Sequence, residues 1–258
     1  MKFALVKGGR CEAEPKLRGE CPGCASAVLA KCGTRKLWHW AHISVLDCDR
    51  WWETETGWHR GWKNEFPVEW QEVRQRAPDG EWHIADVKIE GGNVLEFQYS
   101  NISHQERTAR ENFHKRLIWV VNGTRLKKDL PSFQKALAAA ACVNAQPLKL
   151  VLPVKASSIV ERWNGSECPV YLDFGEAEFG LSHPHSEPTL WRLQFRQGLN
   201  YVVVTPVSRR SFIEHHRRNT PLRGYSLGRV MSPLARRTYL PAFERYLLKR
   251  RARKTRKF

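Results

Sequence analysis

The stretch from Trp82 to Tyr99, WHIADVKIEGGNVLEFQY, decides the predicted fold of the chain. Residues 82–89 and 94–99 are rich in β-branched and aromatic side chains, as strands are. Between them, residues 90–93 (Glu-Gly-Gly-Asn) have the length and composition of a hairpin loop. We therefore predict an antiparallel β-hairpin.

The predicted hairpin carries two acidic side chains at positions where they could act together. Because alternate residues of a strand share a face, Asp86 and Lys88 lie together on one strand, and Glu96 and Gln98 on the other. Paired carboxylates are natural ligands of Mg²⁺ or Mn²⁺, which retain waters when bound. One such water could attack phosphorus, with Gln98 orienting it and Lys88 adding positive charge.

The flanking sequence predicts further elements around the hairpin. Apolar periodicity and capping signals indicate helices over residues 55–64 and 103–115 and another starting at residue 130. Residues 68–73 and 117–121 have strand patterns. The predicted order is helix, three strands, helix, strand.

Two predicted helices carry polar residues that could reach the hairpin. Glu55, His59 and Lys63 recur at every fourth position, so they form one stripe that faces either the acidic site or solvent. Arg107 and Arg110, on the helix after the acidic strand, could contact phosphate or form salt bridges to the hairpin carboxylates. The sequence leaves both choices open.

A possible zinc site lies near the start of the chain. Cys21-Pro-Gly-Cys24 and His39-Trp-Ala-His42 supply two pairs of ligands, the number that tetrahedral Zn²⁺ requires. Buried thiols and surface histidines are the alternative. The choice of the fourth ligand stays open among five residues: Cys11, Cys32, Cys48, His39 and His42.

The composition restricts the partners that the chain can have. A formal net charge of +17 favours a polyanion, above all nucleic acid, although charge alone fits a non-catalytic binder equally well. Seven cysteines crowded toward the N-terminus suit metal ligation in a reducing compartment better than disulfides. The sequence has no long apolar run and no signal-peptide core, so we expect a cytoplasmic protein with no membrane partner.

These motifs, in this order, resemble the competence protein CoiA-like family over roughly the first half of the chain. They are Cys21-x-x-Cys24, His39-x-x-His42, Glu55-x₃-His59-x₃-Lys63, Ala85-Asp-Val87, Glu96-Phe-Gln-Tyr-Ser-x-Ile-Ser103 and Ile118-Trp-Val120. The resemblance implies a zinc-ribbon-like segment joined to a nuclease domain of the restriction-endonuclease-like, PD-(D/E)xK type.

By this resemblance, Asp86 and Glu96 match the two metal-binding acids, and Glu55 matches the helix-borne acid. His59 and Lys63 belong to the same helix motif. Gln98 stands where the wider superfamily usually has lysine, although the CoiA-like pattern itself includes Glu-x-Gln. The group that handles the proton is therefore left open.

The whole chain is predicted to be an α/β (α+β) protein with three parts. Residues 1–50 form the zinc-ribbon-like module, 51–145 the nuclease-like domain, and 146–258 a basic α+β C-terminal domain with a flexible tail. Strand patterns at 148–154, 191–196 and 201–207 and helical patterns at 211–218 and 235–249 support the last part. Its tail arginines, Arg250, Arg251 and Arg253, should contact a nucleic-acid backbone.

Two functional hypotheses follow. The first is a Mg²⁺- or Mn²⁺-dependent deoxyribonuclease, with endonuclease action favoured, that acts on single- or double-stranded DNA in DNA processing, recombination or defence. The second is a nuclease scaffold that no longer cuts and serves as a nucleic-acid-binding or adaptor protein, with Gln98 marking the loss. In either case the C-terminal domain could dock a protein partner.

Overall fold

The computed structural model describes residues 1–44, 48–51, 53–78, 80–145, 147–179, 187–196 and 198–225. Fourteen strands and five α-helices in these residues confirm the mixed α/β class. The contacts divide the chain into two compact units, Met1–Val120 and Val121–Phe258. The three domains expected from the sequence remain a prediction, because compactness does not show which segments fold independently.

The first unit begins with a five-stranded antiparallel sheet in the order β2-β1-β3-β4-β5. Its core contains Val28 and Trp40, which are fully buried, and the buried thiol of Cys21. This core is small, as expected of a module that a metal stabilises. The strands are β1 (Phe3–Val6), β2 (Gly9–Glu12), β3 (Arg18–Glu20), β4 (Ala27–Lys31) and β5 (His39–His42).

The first helix, α1 (Gly57–Asn64), begins later than the sequence predicted. Thr56 is its N-cap: the backbone of Thr56 is extended, and its side chain accepts from the backbone N–H of His59. The His59 ring in turn accepts from the backbone N–H of Thr56, which completes a capping box. Glu55 therefore precedes the helix, and its prediction as a helix-borne acid was wrong.

The predicted central hairpin is confirmed. After a short 3-10 helix (Val68–Trp70) come the strands β6 (Gln71–Arg76), β7 (Trp82–Lys88) and β8 (Val94–Gln98). Each pairs antiparallel with the next. The β7–β8 connection turns at Gly92, whose φ of 86° lies in the left-handed region that glycine adopts without strain.

The crossover after the hairpin also follows the prediction. Helix α2 (His104–Phe113) is capped by the Ser103 side chain, which accepts from the Glu106 backbone N–H. Strand β9 (Leu117–Asn122) lies beside β8, and the boundary between the two units falls within it. The observed order of helix, three strands, helix and strand is the expected one.

The second unit has a core of β-strands in the order β10-β11-β14-β13-β12. Its elements are α3 (Asp129–Ala138), β10 (Ala141–Ala145), β11 (Leu148–Pro153), α4 (Ser158–Trp163), β12 (Val170–Asp173), β13 (Thr189–Phe195), β14 (Tyr201–Ser208) and α5 (Arg209–Arg218). Strands at 148–154, 191–196 and 201–207 and the helix at 211–218 were predicted. The predicted helix at 235–249 lies outside the described residues.

Candidate active site and metal centre

Four side chains of the first unit converge into a group that could hold a metal ion such as zinc. The ligand atoms of Cys21, Cys24, His42 and Cys48 all lie within 4.8 Å of one another. The Cys24 thiol lies 3.3 Å from His42 Nε2. Three sulfurs and one imidazole nitrogen form the Cys₃His set of a structural zinc site.

The local backbone explains how Cys21 and Cys24 come together. The backbone N–H of Ala25 donates to the carbonyl of Cys21 at 2.9 Å, and Ala25 has a φ of 58°. These features close a tight turn that brings the two thiols to the same side. Burial opposes ionisation of Cys24, but hydrogen bonds with Ser26 and His42 outweigh it and lower the pKa of this thiol to about 6.

The structure corrects one predicted ligand. His39 is absent from the cluster, and its Nδ1 lies 2.7 Å from the carbonyl of Leu37. His39 and His42 are three residues apart on strand β5, so they point to opposite faces and only one of them can reach the thiols. Cys48, one of the open alternatives, supplies the fourth position. Cys11 and Cys32 are not members.

The hairpin acids face a cavity of about 310 Å³ within the first unit. The register of β6, β7 and β8 places Glu72, Asp86 and Glu96 in one row across the three strands. The lining contains more acidic than cationic side chains. Two of its residues, Lys63 and Arg110, are permanently cationic, and six are acidic: Asp49, Glu53, Glu55, Glu72, Asp86 and Glu96.

Asp86 and Glu96 each reach across the hairpin to the other strand. The backbone N–H of Phe97 donates to Asp86 Oδ2 at 2.9 Å, and that of Asp86 donates to Glu96 Oε1 at 3.2 Å. Burial raises the pKa of both carboxyls, and the neighbouring charge of Asp86 helps to raise that of Glu96 to about 8. Both shifts favour the protonated form of these carboxyls.

The Arg110 guanidinium partly neutralises the carboxylate of Glu96. Its Nη1 lies 3.3 Å from Glu96 Oε2, and its Nη2 donates to Glu106 at 2.6 Å. Arg110 and Arg107 are both buried, and Arg107 lies 3.8 Å from Glu111. The structure thus places Arg110 in the salt bridge that was the alternative to phosphate contact, and it places neither guanidinium on the surface.

Lys63 lies at the centre of the acidic cavity. Its Nζ is 2.7 Å from both Glu55 Oε1 and Glu72 Oε1. Burial disfavours the ammonium, but Glu72, Asp86 and Glu55 outweigh it and raise the pKa of Lys63. Burial likewise opposes ionisation of Glu72, which Lys63 and backbone N–H groups offset, lowering its pKa to about 2.

Gln98 and Lys88 have other partners than those predicted. The Gln98 amide donates to Glu53 Oε1, which also accepts from Ser100 Oγ at 2.9 Å. Lys88 donates to Gln75 and does not line the cavity, although Asp86 on the same face does. Gln98 therefore holds a carboxylate in place, and Lys88 contacts the neighbouring strand β6.

His59 joins the same group through Glu53. Its Nε2 lies 3.9 Å from Glu53 Oε2, while its Nδ1 is used by the Thr56 cap. Sequence reasoning missed Glu53, Glu72 and Asp49 as site residues. The backbone of Glu72 has a φ of 46°, which is unusual within a strand, but no sequence pattern predicts this conformation.

One short segment connects the thiol cluster to the acid pair. After Cys48, the Asp49 carboxylate accepts from the backbone N–H of Ile84 at 2.8 Å, two residues before Asp86. The Trp51 carbonyl accepts from Arg110, the partner of Glu96, at 2.8 Å. Hydrogen bonds thus tie the segment that follows Cys48 to the hairpin and to the arginine that pairs with Glu96.

Among the described residues, the thiol cluster is the only set of three or more His, Cys, Asp or Glu side chains that converges within 4.8 Å. No three carboxylates of the cavity form such a set among the described residues. None of the described helices combines the length and hydrophobicity that a transmembrane span requires. The predicted tail contacts Arg250, Arg251 and Arg253 lie outside the described residues.

Comparison with known proteins identifies the N-terminal segment. Residues 15–50 match the family model of the competence protein CoiA, N-terminal domain. The matched residues contain the whole Cys₃His group, and the match confirms the CoiA-like resemblance. No curated protein and no solved structure gives a significant match to the chain.

Proposed function

We propose that this chain, whose N-terminal segment resembles that of CoiA-like competence proteins, is a Mg²⁺- or Mn²⁺-dependent deoxyribonuclease, with endonuclease action favoured. One observation carries the proposal: half-buried Asp86 and buried Glu96 contact each other's strand across the hairpin, and desolvation raises the pKa of both carboxyls. Buried acids with raised pKa values are typical of sites that bind a cation or transfer protons. The six carboxylates of the cavity exceed its two permanently cationic side chains in a chain of net charge +17.

The donor set fits a hard divalent cation. Carboxylate oxygens are the ligands that Mg²⁺ and Mn²⁺ prefer, and two carboxylates suffice for an ion that retains several waters. Asp86 and Glu96 would hold it. When bound, such an ion activates a water and neutralises the charge that develops on phosphorus.

The remaining side chains of the cavity have distinct roles in this proposal. Lys63, fixed between Glu55 and Glu72, stabilises negative charge at the scissile phosphate. His59 lies near Glu53, and the two can exchange a proton with the attacking water. Gln98 acts indirectly, because its amide donates to Glu53.

The substrate follows from charge and from the family resemblance. A strongly basic chain attracts the nucleic-acid backbone, and the acid cavity accepts a phosphodiester only when a cation has bound. The zinc cluster is structural, because its four protein ligands leave no open position for a substrate. DNA processing, recombination and defence are the roles that this activity would serve.

The test is cleavage of single-stranded, double-stranded and branched DNA in Mg²⁺ or Mn²⁺. Asp86→Ala and Glu96→Ala should each lower the cleavage rate at least about 100-fold, because they remove groups that stabilise the transition state. Glu90→Ala, an exposed acid on the same hairpin, is the matched control and should leave the rate unchanged. Equal cleavage by Asp86→Ala and Glu90→Ala would overturn the proposal.

A second candidate is a nucleic-acid-binding protein that does not cut, and one observation favours it. Arg110 already pairs with Glu96, as in a scaffold whose acids are neutralised by the protein itself. A structure determined after soaking in Mn²⁺ separates the two candidates. An ion between Asp86 and Glu96 supports the nuclease, whereas an intact Arg110 salt bridge without an ion supports the binder.

A further inference from the structure

The loop between β4 and β5 presents basic and aromatic side chains to solvent. Residues 33–38 are all exposed, and they include Arg35, Lys36 and Trp38. The side chain of Trp38 is among the most exposed large hydrophobic groups of the described residues, at 46%. Exposure of an indole to water costs free energy that burial against a partner would recover, so we expect a partner to bind at this position.

The loop is anchored to the wall of the carboxylate cavity. Arg60, on α1, donates from Nη2 to the Trp38 carbonyl at 3.0 Å. The same guanidinium pairs with Glu55 Oε2 at 2.5 Å, and Glu55 binds Lys63 at the centre of the cavity. The backbone of the loop at Trp38 is therefore tied to the side chains that hold Glu55.

A second cavity, of about 330 Å³, lies beside the first. Arg35, Lys36 and Leu37 line it, and it shares Met1, His39 and Glu55 with the carboxylate cavity. Basic side chains therefore stand next to the acidic cavity. A polyanion could bind them at one cavity and present a phosphodiester to the other.

The kind of strand follows from the chemistry of stacking. Inside a duplex, each base is covered on both faces by its neighbours, so an exposed indole gains little from it. An unpaired base has a free face, and stacking on an aromatic ring is how proteins hold single strands with little regard to sequence.

We propose that the loop 33–38 is a binding site for an unpaired DNA strand, with one base stacked on Trp38 and the backbone held by Arg35 and Lys36. The site leads the strand into the carboxylate cavity, and this assignment of direction rests on the proposed nuclease function. The N-terminal zinc segment thereby selects the substrate as well as stabilising the fold.

The experiment measures binding of the full chain to a labelled single-stranded oligonucleotide without added Mg²⁺ or Mn²⁺, so that no cleavage is needed. An unlabelled relaxed duplex circle, which has no ends, serves as the competing probe. Trp38→Ala should weaken single-strand binding about 5- to 150-fold, the range for loss of one base–aromatic stack. Affinity for the circle should change less than about twofold.

Matched variants show whether the effect belongs to this site. Trp38→Phe retains a stacking ring and should keep most of the affinity, and Val68→Ala removes an equally exposed apolar group elsewhere in the unit. Arg18, an exposed arginine of the N-terminal sheet that lines neither cavity, provides the control for charge. Arg35→Ala should reduce the affinity for the single strand, and the salt dependence of that affinity, more than Arg18→Ala does.

Three results would overturn the loop assignment: a Trp38→Ala effect no larger than that of Val68→Ala, an equal effect on the circle, or an equal loss in Trp38→Phe. The outcome is separable from that of the cleavage test. Trp38-dependent binding without Asp86-dependent cleavage would remove the nuclease proposal and leave the loop as a strand-binding site. Cleavage that depends on Asp86, together with unchanged single-strand binding by Trp38→Ala, would support the nuclease proposal and remove the loop assignment.

Discussion

The interiors of the two units differ in kind. In the first unit, Lys63, Glu96 and Arg110 are all buried. In the second, Phe133 stacks on Phe174 with ring centroids 5.1 Å apart and contacts Trp191 edge-on at 5.5 Å. The first unit also contains aromatic packing and the second also buries acids such as Asp129, but among the described residues the buried lysine and arginine side chains all lie in the first unit.

The difference teaches where function is to be sought. Burying a charge costs free energy unless it is paired, so a chain that retains several such charges has a use for them beyond stability. Aromatic packing stabilises a fold without any such cost. The chemistry that we propose therefore belongs to the first unit, where buried cations and acids lie together.

Removing the metal should have the largest effect and should separate the two interiors. Structural zinc contributes about 10–16 kcal/mol of apparent binding free energy, so a chelator should unfold the thiol-bearing sheet. Hydrogen exchange should then show lost protection in β4 and β5 and retained protection in β13 and β14. As a control, His39→Ala should still bind zinc, whereas Cys48→Ser should lose it. Retained protection of β4 and β5 would contradict this expectation.

Truncating the aromatic core should destabilise the second unit through packing alone. Phe133 is fully buried, and Phe133→Ala should lower the free energy of unfolding by about 3–5 kcal/mol because it leaves a cavity. Urea unfolding measures this. Tyr201→Ala, at an exposed position of the same unit, should cost less than about 0.5 kcal/mol. Similar costs for the two variants would show that the aromatic cluster does not form the core.

Removing the central cation of the first unit should destabilise through charge rather than volume. Lys63→Met leaves Glu55 and Glu72 without their shared partner, at a cost of about 3 kcal/mol in unfolding free energy. Adding Glu72→Gln should recover part of this loss, which a double-mutant cycle measures. A cost that is unchanged by Glu72→Gln would mean that Lys63 acts by packing.

The smallest expected effect is a pH dependence that comes from Glu96. The pKa of this carboxyl rises from the ordinary 4.5 to about 8 in the folded chain, so folding favours its protonated form. Its contribution to stability is complete below about pH 4.5 and is lost as the pH rises through about 8.

We therefore expect the free energy of unfolding of the wild-type chain, without Mg²⁺ or Mn²⁺, to fall more than that of Glu96→Gln between about pH 5 and pH 8, because only the wild-type carboxyl releases a proton in this range. Unfolding midpoints at the two pH values measure the difference. Mn²⁺ should reduce it, because a bound cation favours the carboxylate. Parallel pH profiles for the two chains would show that Glu96 keeps its ordinary pKa.

Local patterns predicted the elements near the site with few errors. The hairpin of β7 and β8 was found from alternation and its Gly-Gly loop, and α2 from the cap at Ser103. The start of α1 was misplaced by two residues, because Thr56 satisfies the first backbone N–H groups and ends the extended segment that carries Glu55. That signal was present in the sequence and was outweighed by the regular spacing of the polar stripe.

The sequence by itself determined the elements around the hairpin, the basic charge and the residue types of both candidate sites: thiols with histidine near the start, and carboxylates on the hairpin. Only the tertiary structure decided which members converge. It replaced His39 by Cys48, added Glu53 and Glu72 to the acids, and joined Arg110 to Glu96. The physical reason is range: alternation and capping depend on neighbours along the chain, whereas convergence depends on strand register and on the path of loops, which short patterns do not encode.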